Sequence, residues 1–276
     1  MTIQNALIIL GIGLILAIIA CFILSRVFYG GIYKFHNNAD NPEQFDLNGI
    51  EVVDFKSEDG ADVRAWIKPP EGDAPVILFF MGNFASIGPS VQTLKPFLEQ
   101  GYGLAALVYR GSSGLEGEPS ETAFAADARA LYDQLDSLMG TPILKARRLA
   151  YGYSLGSGIA VTLASERDVD GVILVAAYSR FCDYFTDRYY GLPFCYVMHR
   201  ERYDSIDRIT KIKTPLLMLH GEQDTAIHIR FGKRLYEAAN EPKTFIPFEN
   251  GTHVNLFEQG LADEVTTFYD TVIKQH

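Results

Sequence analysis

The residues best suited to chemistry in this 276-residue chain are a serine in a glycine-framed turn, a carboxylate and a histidine, in that order. Ser154 lies in Gly152-Tyr153-Ser154-Leu155-Gly156, after the apolar run Leu149–Gly152 and before a helical run rich in small residues. A strand that turns this tightly into a helix leaves no room for side chains two positions either side of the serine, so glycine stands there. The turn would hold the Ser154 hydroxyl clear of the chain, over the free N–H groups of a helix N-terminus. Roughly 0.1 copies of the bare pentapeptide are expected by chance in a chain of this composition, so its weight comes from the strand before and the helix after.

A hydroxyl becomes a nucleophile when a base takes its proton, and the base needs an acid to orient it. Asp224 closes His220-Gly221-Glu222-Gln223-Asp224, just beyond the apolar run Pro215–Leu219. Glu222, nearer that run, is the alternative acid. His253 closes Glu249-Asn250-Gly251-Thr252-His253, after the run Thr244–Phe248. The other histidines fit less well: His36 and His276 lie in the tether and the tail, His199 in an insertion, His220 before the acid, and His228 shortly after it. An oxyanion needs two preorganised donors. The N–H of Leu155 is expected to be one. The other is expected from Asn83 in Met81-Gly82-Asn83-Phe84, with Phe84 as the fallback. Such chemistry calls for no metal and no cofactor.

These loops need a scaffold that brings them together. Ile50–Phe55 and Val63–Ile67 read as an opening pair of strands. Pro75–Phe80, Leu104–Tyr109, Leu149–Gly152, Gly171–Ala176, Pro215–Leu219 and Thr244–Phe248 read as further strands. Most are continuously apolar, as strands are when helices cover both faces of a parallel sheet. Helical patterns fall at Ser90–Glu99, Glu121–Leu138, Gly156–Glu166, Ile229–Ala239 and Ala262–Lys274. The alternation predicts an α/β fold with a doubly wound, mostly parallel sheet. Ligands on such sheets sit at the carboxyl ends of the strands, where Ser154, Asp224 and His253 are expected.

Ala6–Leu24 is an uninterrupted apolar run without charge or proline. As a helix it would span roughly 28 Å, about one hydrocarbon core, which predicts a single-pass transmembrane anchor. The expected boundaries are an anchor over 1–25, a tether over 26–49 and one α/β domain over 50–276. Arg26 and Lys34 follow the run and no basic residue precedes it, so the positive-inside rule places the domain in the cytoplasm. Were the domain exported instead, Cys182 and Cys195 could pair.

Composition excludes several classes. Apolar residues make up 48% of the chain, too many for a long disordered protein. The formal net charge of −10 argues against a nucleic-acid partner. Three cysteines with no CxxC pair make neither a disulfide scaffold nor a structural zinc site.

Taken together, the motifs resemble the α/β-hydrolase superfamily, and within it the membrane-anchored abhydrolase-domain serine hydrolases. The resemblance covers roughly residues 50–275. It rests on Phe79-Phe80-Met81-Gly82-Asn83, on Val108-Tyr109-Arg110-Gly111 with the following Ser113–Ser120 segment, on the Ser154 pentapeptide, on the Asp224 loop and on Gly251-Thr252-His253. It implies the α/β-hydrolase fold with Ser154, Asp224 and His253 as a catalytic triad and a short cap over about 178–213. Two positions depart from the family pattern: Met81 stands where histidine is usual and Ser112 where an aromatic is common. The cap carries Tyr178, Phe181, Tyr184, Phe185, Tyr189, Tyr190, Phe194 and Tyr196. These rings suit either a lip over an acyl group or plain packing of the insertion. The expected activity is hydrolysis of a carboxylic ester or thioester of a small-molecule or lipid-like acyl substrate at a membrane. A serine peptidase or amidase with the same triad, and a non-catalytic membrane-tethered binding protein, are the alternatives. Oligomeric state is left open by the sequence.

Overall fold

The computed structural model describes residues 5, 11–13, 15–16, 19, 28–144 and 147–275. The chain divides into two compact units, Met1–Lys34 and Phe35–His276. Most of the expected anchor lies outside the described residues. Those of the run that are described are helical, with Ile12, Ile15, Leu16 and Ile19 exposed. Among the described residues, no helix is long and apolar enough to cross a membrane.

The second unit is built on one eight-stranded sheet. Its strands are β1 Glu51–Lys56, β2 Asp62–Lys68, β3 Val76–Phe80, β4 Gly103–Val108, β5 Arg148–Tyr153, β6 Gly171–Val175, β7 Leu216–Gly221 and β8 Lys243–Phe248. The spatial order is β1-β2-β4-β3-β5-β6-β7-β8. Only β1 and β2 run antiparallel to their neighbours; the other strands pair in parallel. Every residue of β3, β4 and β6 is buried, which is why these strands are continuous apolar runs. Each fully buried Val, Leu, Ile or Phe there contributes about 1.5–3 kcal/mol.

Helices cover the sheet: α1 Ile87–Gln92, α2 Lys95–Glu99, α3 Glu121–Asp133, α4 Leu155–Ala164, α5 Phe181–Arg188, α6 Phe194–Val197, α7 Ile229–Ala238 and α8 Leu261–Thr271. The expected single helix Ser90–Glu99 is two helices. Pro96 has no N–H to donate and its ring would crowd the carbonyl of Gln92, so the chain breaks at Thr93 and Leu94 and restarts.

The expected tether also differs. From Phe35 onward it belongs to the second unit. The Phe35 ring lies 5.4 Å from that of Tyr109, and the His36 N–H donates to the Ala85 carbonyl at 3.2 Å. The Ser113 N–H donates to the His36 carbonyl at 2.8 Å, and Asp40 accepts from the Gly88 N–H at 2.8 Å. Asn41 caps a 3-10 turn at Pro42–Phe45.

The motif around Arg110 is part of the scaffold. Its guanidinium is buried between Asp127 at 2.5 Å and Asp59 at 2.7 Å. That pairing holds the Asp59 carboxyl down at about 2. Ser112, in the family's aromatic position, is buried and donates to the Tyr109 carbonyl at 2.8 Å.

Candidate active site

Ser154 leaves the end of β5 with φ 52° and ψ −115°, in a region that costs a non-glycine residue about 1–3 kcal/mol. Its surroundings enforce that turn. A Cβ on Gly152 would lie 2.4 Å from the Gly156 carbonyl oxygen. A Cβ on Gly156 would lie 1.9 Å from the carbonyl oxygen of Phe80, at the end of β3. The Ser154 N–H donates to the Val175 carbonyl at 2.8 Å, which ties the turn to β6. We expect Gly156→Ala to destabilise the fold by about 3 kcal/mol, because the obstacle is backbone and cannot swing aside. Thermal unfolding should then fall by roughly 6–12 °C. An unchanged midpoint would show that the Ser154 turn tolerates separation of α4 from β3.

Asp224 and His253 are brought together by an equally close approach. A Cβ on Gly221 would lie 2.3 Å from the Gly251 carbonyl oxygen, so the loops after β7 and β8 touch through their backbones. The Glu222 N–H donates to the Phe248 carbonyl and the Gln223 N–H to the Gly251 carbonyl, both at 2.9 Å. Asp224 Oδ1 accepts from the N–H groups of Ala226 and Ile227, each at 2.8 Å. Asp224 Oδ2 lies 2.7 Å from His253 Nδ1, and His253 Nε2 lies 3.0 Å from Ser154 Oγ. The three residues named from the sequence thus form one continuous hydrogen-bonded line. Asp224 is buried, which alone would raise its carboxyl pKa, but bonds from His220, His253 and Ile227 hold it well below the ordinary value. It is ionised at neutral pH.

The remaining candidates are placed plainly. Glu222 is exposed, and it is Asp224 that meets His253. His220 is buried behind the acid, with Nε2 2.8 Å from the Ile227 carbonyl and 3.5 Å from Asp224 Oδ2. His228 pairs with Asp187 at 3.3 Å. Leu155 is the first residue of α4, where backbone N–H groups lack intrahelical acceptors. The loop carrying Asn83 reaches Ser154, since a Cβ on Gly82 would lie 3.5 Å from Ser154 Cβ. The Phe84 N–H donates to Asn83 Oδ1 at 3.1 Å, which engages the fallback donor. Met81 is buried and its carbonyl accepts from the Tyr109 hydroxyl at 2.9 Å, so this loop is held without the usual histidine.

A cavity of about 340 Å³ opens beside His253. Phe79, Tyr151, Leu256 and Phe257 give it an apolar wall, and Phe84 and Val254 also line it. No described residue of the cap over 178–213 lines it, so of the two readings of the cap rings the lip does not form the wall of this cavity. The cap rings pack chiefly on one another, as in the 5.1 Å contact of Phe181 with Phe185. A disulfide between Cys182 and Cys195 joins α5 to α6.

Two contributors were not legible in advance. The Tyr153 hydroxyl donates to the His253 carbonyl and so braces His253. Tyr153 lies inside the serine motif, but spacing says nothing of a bond across a hundred residues. His36 lines the cavity from a segment that reads as tether, and no sequence signal marks it.

No sequence-family model matches the chain. The α/β-hydrolase domain-containing protein WAV2 of Arabidopsis thaliana is 30% identical over 230 residues, covering 76% of this chain and 74% of that protein. Lysophosphatidylserine lipase ABHD12 of Danio rerio is 26% identical over 254 residues, covering 76% of this chain and 65% of that protein. The structure of Pyrococcus furiosus esterase Pf2001 superposes with a TM-score of 0.68 at 17% identity, over 88% of this chain and 100% of that one. Peptidase chains of this fold match as well, although this chain spans less than half of their length. The chain belongs to the α/β-hydrolase family.

Proposed function

We propose that the protein is a serine hydrolase that cleaves a carboxylic ester or thioester of an apolar acyl group at a membrane surface. The observation that carries this reading is the line from Asp224 through His253 to Ser154, opening beside an apolar cavity. Ser154 Oγ attacks the acyl carbonyl carbon as its proton passes to His253 Nε2. The N–H groups of Leu155 and Asn83 receive the negative oxygen of the tetrahedral intermediate. His253 returns the proton to the departing alcohol or thiol, leaving an acyl-serine. Water then attacks in the same way and releases the acid, restoring Ser154.

The cavity supports an acyl group of moderate length. Taking a methylene as about the volume of one liquid water, ~30 Å³, it would hold on the order of ten carbons. The lysophosphatidylserine lipase named among the relatives supports the lipid side of the reading. The membrane part rests on the apolar run Ala6–Leu24. Disulfides persist in oxidising compartments, so the Cys182–Cys195 bond weighs against the cytoplasmic placement drawn from Arg26 and Lys34. On p-nitrophenyl esters, kcat/KM is expected to rise from acetate to a maximum at roughly eight to ten carbons and then fall, as burial adds about 0.8 kcal/mol per methylene until the cavity is full. A maximum at acetate would sink the lipid-like substrate and leave the serine chemistry standing.

A further inference from the structure

Exposed large apolar side chains are unevenly distributed over the second unit. Among its described residues there are eight: Val52, Phe84, Leu144, Tyr189, Tyr190, Leu192, Tyr196 and Val254. All but Val52 and Leu144 sit in the segments that follow the carboxyl ends of β3, β6 and β8, the end of the sheet that carries Ser154 and His253. Tyr190 is fully exposed and Tyr196 is 92% exposed, although neighbouring rings of the same cap are buried. Neither lines the cavity, so substrate contact does not explain them.

The charge of this cap segment is also out of keeping with the protein. From Arg188 to Arg200 there are two arginines and His199 and no carboxylate, in a chain of net charge −10. Tyrosine beside arginine is the composition of a surface that settles at the headgroup level of a bilayer, the ring half-buried and the cation against anionic lipid. The disulfide Cys182–Cys195 closes the loop that carries Tyr189, Tyr190 and Leu192, so these side chains are presented by a cross-linked knob. The polypeptide enters the unit at the same end, where Phe35 packs on Tyr109 and His36 lines the cavity. Ten residues separate Leu24 from Phe35, a contour of at most about 40 Å.

We propose that this end of the sheet, centred on Tyr190, Leu192 and Tyr196 of the cap with Phe84 and Val254 at the cavity mouth, docks on an anionic lipid surface. The proposal rests on the membrane part of the functional reading and not on its chemistry. Docking would set the cavity mouth against the layer from which an acyl chain is drawn, so the substrate would not have to cross water.

The test uses the full chain with Tyr196→Trp as a reporter, because the single native tryptophan, Trp66, is buried in the core. The probe is vesicles of phosphatidylcholine and phosphatidylglycerol, plain or with brominated acyl chains. An inserted indole lies about 5–10 Å into the interface, so roughly two-fold quenching by the brominated vesicles is expected, weakening when phosphatidylglycerol is left out. Adding Tyr190→Asp and Leu192→Asp should abolish the quenching while the chain still floats with the vesicles. Floating without quenching would overturn the docking surface and spare the anchor. Failure to float would remove the membrane reading on which docking rests. An emission shift that follows protein concentration without lipid would mean a second copy covers the patch, and would overturn the proposal too. Ester turnover, measured in parallel, reports separately on the hydrolase.

Discussion

Replacing Ser154 with alanine is expected to cut turnover of a p-nitrophenyl ester on the order of a million-fold, the scale on which a serine nucleophile acts together with its base. The fold should survive the change. Ser154 is held in its turn by Gly152, Gly156 and the bond from its N–H to Val175, none of which needs the hydroxyl. The Tm should therefore stay near that of the unaltered protein. Substantial activity in a folded Ser154→Ala protein would mean that another group attacks the acyl carbon. A loss of folding would instead assign the hydroxyl a structural role that its surroundings do not suggest.

The next largest effect is expected at Asp224. Asparagine there preserves size and can still accept from the N–H groups of Ala226 and Ile227. Its amide would donate to His253 Nδ1, however, where the carboxylate now accepts at 2.7 Å. The imidazole would then carry its proton on Nε2 and could not take one from Ser154. Turnover should fall on the order of 10⁴-fold, with KM changed far less. The same substitution should alter acid stability. The folded-state carboxyl of Asp224 is held below its unfolded value, despite burial, by its bonds from His220 and His253. Its contribution to stability is therefore present above the unfolded carboxylate value of about 3.9 and is lost as pH falls through the folded value. Urea unfolding across this acid range should show a pH-dependent loss in the parent that is reduced in Asp224→Asn. Parallel pH curves would mean that the carboxyl is not held as described.

Much of the architecture is legible in the sequence because the physics behind it is local. β3, β4 and β6 are buried on both faces and so are apolar throughout. Ser154, Asp224 and His253 each follow a strand end, so the order of runs and loops was enough to find them. The loop after β3 that carries Asn83 likewise follows a strand end, and the structure brings it against Ser154. What could not be read depends on contacts between distant parts of the chain. Asn37-Asn38 and Asn41-Pro42 look like linker, yet the segment is fixed by bonds such as that from Ser113 to His36. The aromatic content of the cap was plain, but composition does not say which way rings point. Phe181 and Phe185 turn inward and Tyr190 and Tyr196 outward. Pro96 was visible, and the helix break it causes follows from its missing N–H and its ring.

The most direct measurement of whether this constellation activates a serine is labelling of the full-length protein with a fluorophosphonate, followed by peptide mass spectrometry. Such a probe phosphonylates an alcohol only when a base has made it nucleophilic, and it needs no knowledge of the natural substrate. The account predicts a single adduct at Ser154, formed at neutral pH and missing from the Ser154→Ala and His253→Ala proteins. An adduct at another residue, or none in a correctly folded protein, would contradict it.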